Sequence, residues 1–407
     1  MSNSFFEEIN AGNPTGVAYK HINQKKQILS HIAEFSHSTV AELSKLLNLS
    51  VPKVKSLLDD LQEEQLIREF GKDDSTGGRR PNLYRLRPEA GFFLGIDIKQ
   101  NHINIGLTDF EKNVIRIEEN YKYKLENSEK SLQDLCDLIN QFINSVDVPR
   151  KKLLGAGINL SGRINNTTGY SYSFFHFHED PLSSVIEKRI GLKVFLENDS
   201  RAMAYGEYSA GIVQHEKDII FLNMDYGIGV GILVNGQLYY GKSGYAGEFG
   251  HIPLYTNEAL CHCGKRGCLE TEASGRALVQ NIKDRLNEGA SSILSSIEDV
   301  EALTLEQVLE AAENDDVLCI ENIAEIGEKI GRGLAILINI FNPELIILGG
   351  SLATTEDYIR FPIKSAVNKY SLSLVNKDTS IKVSKLQNTA GVIGACLLVR
   401  NHLLTVS

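Results

Sequence analysis

Apolar residues near the start of the chain recur at the spacing of short helices. Residues 21–35 place several of them at mostly helical spacing, and residues 40–47 predict a second short helix. After a polar turn that ends at Ser50, the segment VPKVKSLLDDL puts its apolar residues on one face, with Pro52 in a first turn where a missing N–H is harmless. LIREF and NLYRLR follow as two predicted strands, joined by the glycine-rich loop GKDDSTGGRRP.

This order of elements predicts a winged helix-turn-helix domain over residues 21–88. An N-terminal arm of residues 1–20 precedes it and shows no clear hydrophobic periodicity. Its third helix exposes polar side chains near its N-terminal end, where a recognition helix enters the major groove. The arginines near the end of the loop lie where a wing follows the phosphates or reaches the minor groove. The predicted DNA contacts are Ser50, Lys53, Lys55, Ser56, Arg79 and Arg80. A small helical domain that associates with other proteins is the alternative.

From Gly91 onward, short strand-like runs alternate with longer helical patterns. The run FFLGIDIKQNHINIGLTDF predicts a hairpin, and further strands are predicted at LLGAGINL, KVFLEN, DIIFLNM, GVGILVNG, LIILGG and IKVSKL. Helical patterns such as SLQDLCDLINQFINSV and ENIAEIGEKIGRGLAILINIF lie between several of them. Such alternation is typical of an α/β protein with mixed sheets.

Charge is spread unevenly along the 407 residues, whose formal net charge is −10. Residues 1–87 carry 12 Lys and Arg against 11 Asp and Glu, so the excess of acid belongs to the remainder. Any contact with nucleic acid is therefore expected from the N-terminal part. No apolar run reaches membrane-spanning length, and the polar, acidic start MSNSFFEEIN lacks the regions of a signal peptide. A cytoplasmic location without a membrane partner is the expectation.

The segment CHCGKRGCLE crowds three cysteines into eight residues. Cys261, Cys263 and Cys268, together with His251 ten residues upstream, offer the four nitrogen and sulfur ligands of a tetrahedral structural zinc site. With four protein ligands, the zinc ion would keep no open position for catalysis. Cysteines that only pack or respond to redox state are the alternative. A DNA-binding zinc finger is disfavoured, because no second ligand pair followed by a basic helix is present.

Several motifs, taken in order, resemble those of one protein family. They are GIDI, NLSG, ENDSRAMAYGE, DYGIGVG, GEFGH, CHCGKRGCLE and NPELIILGGSLA. Together they resemble the ROK family of repressors, open reading frames and sugar kinases, and with the winged helix in front the chain is similar to the family's transcriptional regulators. The resemblance implies an actin-like, hexokinase-like fold, in which two α/β lobes enclose a sugar cleft. The expected first lobe covers residues 89–200 with 380–407, and the second lobe covers residues 201–379 and carries the zinc motif. A homodimer or homotetramer is also implied.

Sugar recognition needs carboxylates and amides that contact several hydroxyls at once, and Asn198-Asp199 at the end of KVFLEN supplies such a pair. In the family kinases the residue matching Asp199 is the catalytic general base, a position that is expected here to bind sugar only. The resemblance implies sugar contacts at Gly162, Asn198, Asp199, Glu248, His251 and Glu270. His251 would then serve both the zinc ion and the sugar through its two ring nitrogens. N-capping of the following helix is a compatible second role for Asp199.

The phosphate-binding turns of the family kinases are altered in this chain. Where those kinases have D-x-G-G-T-K, this sequence has DIKQNH from Asp97, and where they have G-T-G-x-G-G-G it has DYGIGVG from Asp225. Bulky side chains and an added acid both oppose the binding of a triphosphate by backbone amides. The expected remnant of the nucleotide site consists of Asp97, Gly227, Gly229, Gly349 and Gly350. The protein is therefore not expected to be an enzyme.

The segment SYSFFHFHEDP is unusually rich in aromatic residues and histidine. Its rings either form an apolar platform for a sugar or belong to the core and to lobe contacts, and both alternatives stay open for Tyr172, Phe174, Phe175, His176 and His178. A second zinc site at His176 and His178 is a further alternative.

These observations favour a sugar-responsive DNA-binding regulator, a repressor of carbohydrate-utilisation genes. A monosaccharide or sugar phosphate bound between the lobes would change the spacing of two winged helices in a dimer and lower its affinity for paired operator half-sites. The alternative is an ATP-dependent, glucokinase-like sugar kinase with a fused DNA-binding domain. A regulator controlled by a protein partner is the third hypothesis.

Overall fold

Three helices and a three-stranded antiparallel sheet form the first part of the computed structural model, which describes residues 5–6, 16–72 and 81–405. The elements are α1 (Val17–Phe35), β1 (Ser38–Thr39), α2 (Val40–Leu47), α3 (Val51–Glu63), β2 (Ile67–Lys72) and β3 (Asn82–Leu86). The strand order is β1-β3-β2, so β2 and β3 are the two strands on either side of the wing. The predicted winged helix-turn-helix fold is confirmed, while Arg79 and Arg80 lie outside the described residues.

Local side-chain chemistry sets the turn between α2 and α3. Thr39 and Glu42 form a capping box, since the Thr39 hydroxyl accepts a hydrogen bond from the Glu42 N–H and the Glu42 carboxylate accepts one from the Thr39 N–H. Asn48 ends α2 in the left-handed conformation, and Pro52 stands in the first turn of α3. These caps fix the direction of α3, the predicted recognition helix.

A five-stranded mixed sheet follows the winged helix. Its segment of the chain contains β4 (Phe92–Ile98), β5 (His102–Asp109), β6 (Val114–Lys122), α4 (Glu129–Ser145), β7 (Leu153–Leu160), β8 (Ile164–Asn165), β9 (Tyr170–Ser171), α5 (Leu182–Ile190) and β10 (Val194–Asn198). The strand order in the large sheet is β10-β7-β4-β5-β6, with β4 antiparallel to β5 and parallel to β7. The short strands β8 and β9 pair only with each other. Helix α4 is N-capped by Ser128 and buries one apolar face.

A second five-stranded mixed sheet is built on the same plan. Its segment contains α6 (Asp199–Ala210), β11 (Ile219–Met224), β12 (Ile228–Val234), β13 (Gln237–Leu238), α7 (Glu270–Ala273), α8 (Gly275–Asn287), α9 (Leu305–Glu313), α10 (Val317–Phe341), β14 (Leu345–Gly349), α11 (Asp357–Tyr370), α12 (Ser373–Asp378), β15 (Ser380–Val383) and α13 (Ala390–Leu404). The strand order is β13-β12-β11-β14-β15, with β11 antiparallel to β12 and parallel to β14. Each large sheet thus combines a hairpin with a parallel strand, and the predicted α/β class with mixed sheets is confirmed.

By its internal contacts the chain divides into two units. The first unit is Met1–Glu197 with Ala395–Ser407, and the second unit is Asn198–Gly394. The finer division predicted from the sequence, with bounds at residues 20, 88, 200 and 380, stays a prediction. Among the described helices none is both long enough and apolar enough to cross a membrane.

Within the first unit, the winged helix shares its hydrophobic core with the adjoining α/β sheet and with α13. Buried residues of α1 and α3 belong to the same cluster as Phe93 of β4 and Phe110 next to β5. The cluster also includes four buried residues of α13, which are Cys396, Val399, Leu403 and Leu404. The Arg400 side chain donates a hydrogen bond of 2.8 Å to the Phe110 carbonyl oxygen, which further fixes α13. The winged helix is therefore packed onto the sheet through a continuous core.

Candidate functional site

Four side chains of the second unit converge on one point. The possible ligand atoms of His251, Cys261, Cys263 and Cys268 all lie within 4.8 Å of one another. The Sγ atoms of Cys263 and Cys268 are 3.7 Å apart, and His251 Nδ1 is 3.5 Å from Cys261 Sγ. Two thiolates bound to a tetrahedral zinc ion at about 2.3 Å would be about 3.8 Å apart. The donor set and its spacing therefore fit a metal ion.

The loop that carries the cysteines turns on two glycines. Gly264 and Gly267 have positive φ angles of 81° and 75°. A Cβ at Gly267 would collide with the Tyr255 carbonyl oxygen, so only glycine fits there. A short antiparallel bridge joins Cys268 to Pro253 and closes the loop.

Glu270 begins α7 directly after the cysteine loop, and its carboxylate has two partners. Its Oε2 accepts a hydrogen bond of 3.0 Å from the Ile228 N–H, and its Oε1 lies 3.1 Å from His262 Nδ1. Burial favours the neutral acid, but these two partners hold the pKa of Glu270 below its ordinary value. The hydrogen bond with Glu270 in turn raises the pKa of His262. Sequence reasoning missed His262, because a position inside the cysteine motif does not indicate where the ring lies.

A second carboxylate reaches the same cluster through the turn Phe249–His251. His251 Nε2 lies 3.7 Å from Glu248 Oε2, while its Nδ1 faces Cys261. The His262 ring lies edge to face with the His251 ring at 5.1 Å between centroids. Because the Glu248 side chain is 43% exposed, its carboxylate is accessible to a ligand. Two carboxylates and two imidazoles thus form one polar group beside the cysteines.

Asn198 and Asp199 lie at the junction of β10 and α6. Asn198 is the N-cap of α6, and its Oδ1 accepts a hydrogen bond of 3.2 Å from the Arg201 N–H. Asp199 accepts from the N–H and the hydroxyl of Ser200, at 2.7 and 3.2 Å, and both bonds use Oδ1. The interpretation of Asp199 as the helix cap is therefore wrong, since the carbonyl oxygen of the Asn198 side chain takes that role. Asp199 lies in the first turn, where the helix dipole stabilises a carboxylate.

The predicted first phosphate turn carries a lysine folded back onto its aspartate. Asp97 is fully buried in β4, and Lys99 Nζ lies 3.5 Å from its Oδ2. The Lys99 side chain is itself only 15% exposed. An ion pair within the protein therefore occupies the start of the turn that the family kinases keep open with glycine.

The predicted second phosphate turn is closed by its own hydrogen bonds. Asp225 Oδ1 accepts from the Tyr226 N–H at 2.8 Å and from the Ser351 hydroxyl at 3.0 Å. Close packing accounts for glycine at the four predicted nucleotide-site glycines, because a Cβ atom at any of them would lie too close to a neighbouring residue. These neighbours are Glu270 for Gly227, Ser200 for Gly229, Phe221 for Gly349 and Met224 for Gly350.

Gly162 and the aromatic segment lie in the first unit. Gly162 has a φ of 88°, and a Cβ there would collide with Ser173, whose hydroxyl accepts a hydrogen bond of 3.0 Å from the Arg163 N–H. Phe175 is 2% exposed and belongs to the core of the sheet, whereas Tyr172 is 49% exposed. The segment therefore contributes both to the core and to the surface.

The two histidines of the aromatic segment have different neighbours. His178 Nε2 lies 3.0 Å from Glu129 Oε2, and His176 Nε2 lies 3.4 Å from Asn127 Nδ2. Among the described residues, neither histidine belongs to a group of three or more possible metal ligands. Each ring is thus engaged by a different neighbour, and the second zinc site stays an untested alternative.

The predicted DNA contacts on the recognition helix all lie on its exposed face. Ser50, Lys53, Lys55 and Ser56 are exposed, while the buried residues of α3 are Val54, Leu57, Leu58 and Leu61. Ser50 stands at the N-cap position but makes no side-chain capping bond. Its hydroxyl is therefore not committed to the helix.

Comparison with known proteins identifies similar chains of two kinds. The xylose repressor of Caldicellulosiruptor bescii is 33% identical over 389 residues, which are 95% of this chain and 97% of that protein. The crystal structure of a ROK family transcriptional regulator, a homolog of the E. coli MLC protein, covers 94% of this chain and 97% of its own, at 26% identity and a TM-score of 0.79. A ROK family glucokinase from Streptomyces griseus, solved with glucose and AMPPNP, covers 76% of this chain and 100% of its own, at 29% identity and a TM-score of 0.69.

The family itself follows from a match to its sequence pattern. The ROK family model matches residues 93–402, which is nearly the whole α/β part of the chain after the winged helix. The two large mixed sheets and the cysteine loop lie inside the matched range. The chain therefore belongs to the ROK family.

Proposed function

We propose that this protein is a sugar-responsive, DNA-binding transcriptional regulator that represses carbohydrate-utilisation genes. One observation carries the proposal: the chain joins a winged helix with exposed lysines to a ROK domain whose phosphate turns are filled by its own side chains. The similar glucokinase covers 76% of this chain, whereas the xylose repressor and the regulator structure cover 95% and 94%. The similarity to regulators thus extends into the winged helix, which is the part that a kinase does not need.

The effector in this proposal is a monosaccharide or a sugar phosphate. Glu248 and Glu270 supply carboxylate oxygens that accept hydrogen bonds from hydroxyls, and His251 supplies a ring nitrogen between them. Asn198 and Asp199 add an amide and a carboxylate from the start of α6. The proposed sugar contacts are Gly162, Asn198, Asp199, Glu248, His251 and Glu270. Asp199 acts as a binding group here, without a catalytic role.

Zinc is the metal that best suits the cysteine cluster. Three thiolates and one imidazole are the donors of closed structural zinc sites. Bound there, zinc would supply no chemistry beyond holding the loop. Its ligands belong to the turn that carries Glu248 and to the loop that ends at Glu270, so the ion would fix the direction of both carboxylates.

DNA recognition is assigned to the winged helix. The exposed face of α3 presents two lysines and two serines, which suit the phosphates and base edges of a major groove. We include Arg79 and Arg80 of the wing in the proposed interface on their sequence position alone. A homodimer or homotetramer would present paired winged helices to paired operator half-sites.

The direct test is the binding of purified protein to the DNA upstream of its own gene, measured at several salt concentrations. We expect sequence-selective binding that weakens when D-xylose or another effector sugar is added. The absence of selective binding at every salt concentration would contradict the proposal.

A sugar kinase with a fused DNA-binding domain is the second candidate, favoured by Asp199 at the position of the family's general base. An assay of ADP release over a panel of sugars separates the two candidates. We expect no turnover, because the Lys99–Asp97 pair and the Asp225–Ser351 bond occupy the phosphate turns. Turnover that is abolished by Asp199→Asn would establish the kinase instead.

A further inference from the structure

We infer that Arg201 is a positioning residue of the sugar site, which acts by holding the loop that carries Glu248. The inference rests on the proposed function and extends it to a residue outside the proposed contacts. Arg201 is 3% exposed in the first turn of α6, and its backbone N–H is bonded to the Asn198 side chain. Its position along the helix is therefore tied to the start of the proposed sugar site.

The guanidinium of Arg201 reaches the segment between β13 and Glu248. It donates a hydrogen bond of 2.9 Å to the Gly244 carbonyl oxygen and a longer one of 3.5 Å to the Ala246 carbonyl oxygen. Its carbon Cζ lies 5.5 Å from the centre of the Tyr240 ring. The buried Arg201 side chain thus contacts the segment at Tyr240, Gly244 and Ala246. Ala246 is two residues before Glu248.

This segment, residues 239–248 (YYGKSGYAGE), is costly to order, although a backbone hydrogen bond of 3.1 Å joins the Ala246 N–H to the Tyr240 carbonyl oxygen within it. Three of its residues, Gly241, Gly244 and Gly247, have positive φ angles of 68°, 82° and 95°. Glycine loses more backbone entropy on ordering than other residues, so a segment with three left-handed glycines is costly to fix. Because Gly244 is buried, its carbonyl oxygen also needs a hydrogen-bond donor, and Arg201 supplies one.

The segment also adjoins a cavity. A largely apolar cavity of about 570 Å³ is lined by Tyr239, Lys242 and Tyr245 of the segment and by Leu337 and Phe341 of α10. The cavity leaves free space beside the segment. The contacts with Arg201 hold the segment against α6, and they end two residues before Glu248.

The test combines hydrogen exchange with a double-mutant cycle on the full-length protein. Arg201→Lys keeps the charge but ends one atom short of the Nη1 nitrogen that donates both hydrogen bonds, and Arg201→Gln loses the charge and ends two atoms short of it. We expect the amides of residues 240–248 to exchange at least about tenfold faster in Arg201→Lys and faster still in Arg201→Gln, with the zinc content unchanged in both. Arg400→Lys is the matched control, since Arg400 is also buried and donates to a carbonyl oxygen.

The cycle asks whether Arg201 acts through Glu248. Calorimetry with D-xylose and D-glucose should show affinity about tenfold weaker for Arg201→Lys, and no further loss when the same change is made in Glu248→Gln. An equal loss in both backgrounds, or unchanged exchange in residues 240–248, would overturn the inference. If the unaltered protein binds no sugar of a broad panel, the proposed function fails, while the exchange experiment still decides whether Arg201 orders the segment.

Discussion

At the scale of single residues, His251 joins the two parts of the candidate site. One ring nitrogen faces Cys261 and the other faces Glu248, so the metal cluster and the proposed sugar contacts share a side chain. His262 makes a second connection, because it leaves the cysteine loop to reach Glu270. A change in the cysteine cluster should therefore alter the positions of the Glu248 and Glu270 carboxylates.

Loss of one cysteine tests this connection. Cys263→Ser should lower the zinc content to well below one ion per chain and weaken sugar binding with it, because Glu248 and Glu270 lose their fixed direction. Metal analysis after dialysis and calorimetry with the effector sugar measure the two effects. Cys319→Ala, a buried position outside the cluster, should keep its zinc. Full sugar affinity in Cys263→Ser would show that the two sites are independent.

A lysine of the recognition helix tests the DNA interface. Lys55→Ala should weaken binding to all DNA sequences alike and reduce the salt dependence of the affinity by about one unit of slope, if its ammonium neutralises one phosphate. Titrations at four salt concentrations measure the slope. The same substitution at Lys130, an 86% exposed residue of α4, is the control and should leave the slope as it was.

At the scale of elements, α13 is part of the core of the winged helix. Leu403 and Leu404 are 5% and 2% exposed in the cluster that also contains the apolar residues of α1 and α3. The orientation of the recognition helix therefore depends on a helix from the far end of the α/β part.

Truncation of one of these leucines measures that dependence. Leu403→Ala should lower the free energy of unfolding by about 2–4 kcal/mol, the usual cost of a cavity in a packed core, and should also weaken DNA binding. Denaturant unfolding gives the first quantity and a DNA titration the second. Asn401→Ala, at an exposed position of the same helix, should change neither. A loss of stability in Leu403→Ala without any loss of DNA affinity would confine the role of α13 to stability.

A buried glutamate links the start of β11 to β15 and predicts a pH dependence. Burial of Glu216 favours its neutral form, but backbone N–H donors of Gln214 and His215 and the Lys382 ammonium outweigh it and lower the pKa to about 2. Since the folded pKa lies below the unfolded one, the stabilisation is complete at neutral pH and is lost as the pH falls from about 5 towards 2.

Glu216→Gln should therefore be less stable than the unaltered protein at pH 7, and the difference should shrink as the medium is acidified. Unfolding curves at pH 7, 5 and 4 measure it. Glu298→Gln, an exposed position, should show no such trend. A difference that is constant with pH would mean that the Glu216 charge contributes nothing.

At the scale of the whole molecule, the parts of the fold that the sequence predicted are those with local signals. The winged helix and the alternation of strands and helices follow from periodicity and capping residues such as Pro52 and Asn48. The metal cluster follows from spacing, because its cysteines lie within one loop. Contacts between distant segments have no such signal. The Arg201 guanidinium meets Gly244, 43 residues further on, and Arg400 meets Phe110 across 290 residues.

The identity of the helix cap shows the same limit at close range. Asn198 and Asp199 are adjacent, and both residue types are good caps, so composition could not decide between them. The outcome depends on where β10 ends, since the chain leaves the sheet with Asn198 in an extended conformation and Asp199 already helical. Lys99 is a similar case, because a lysine at a hairpin tip usually faces solvent, whereas here its ammonium lies 3.5 Å from the buried Asp97 carboxylate.

The continuous core of the first unit has a consequence for the order in which the protein is made. Domains generally fold as they leave the ribosome, the N-terminal ones first. Here the core of the winged helix includes residues 396–404, which are translated only after the entire second unit. The winged helix therefore completes its packing after the second unit has been synthesised. A nascent or prematurely ended chain would carry an unfinished winged helix. Under the proposed function, repression would then be limited to molecules that also possess the proposed sugar site.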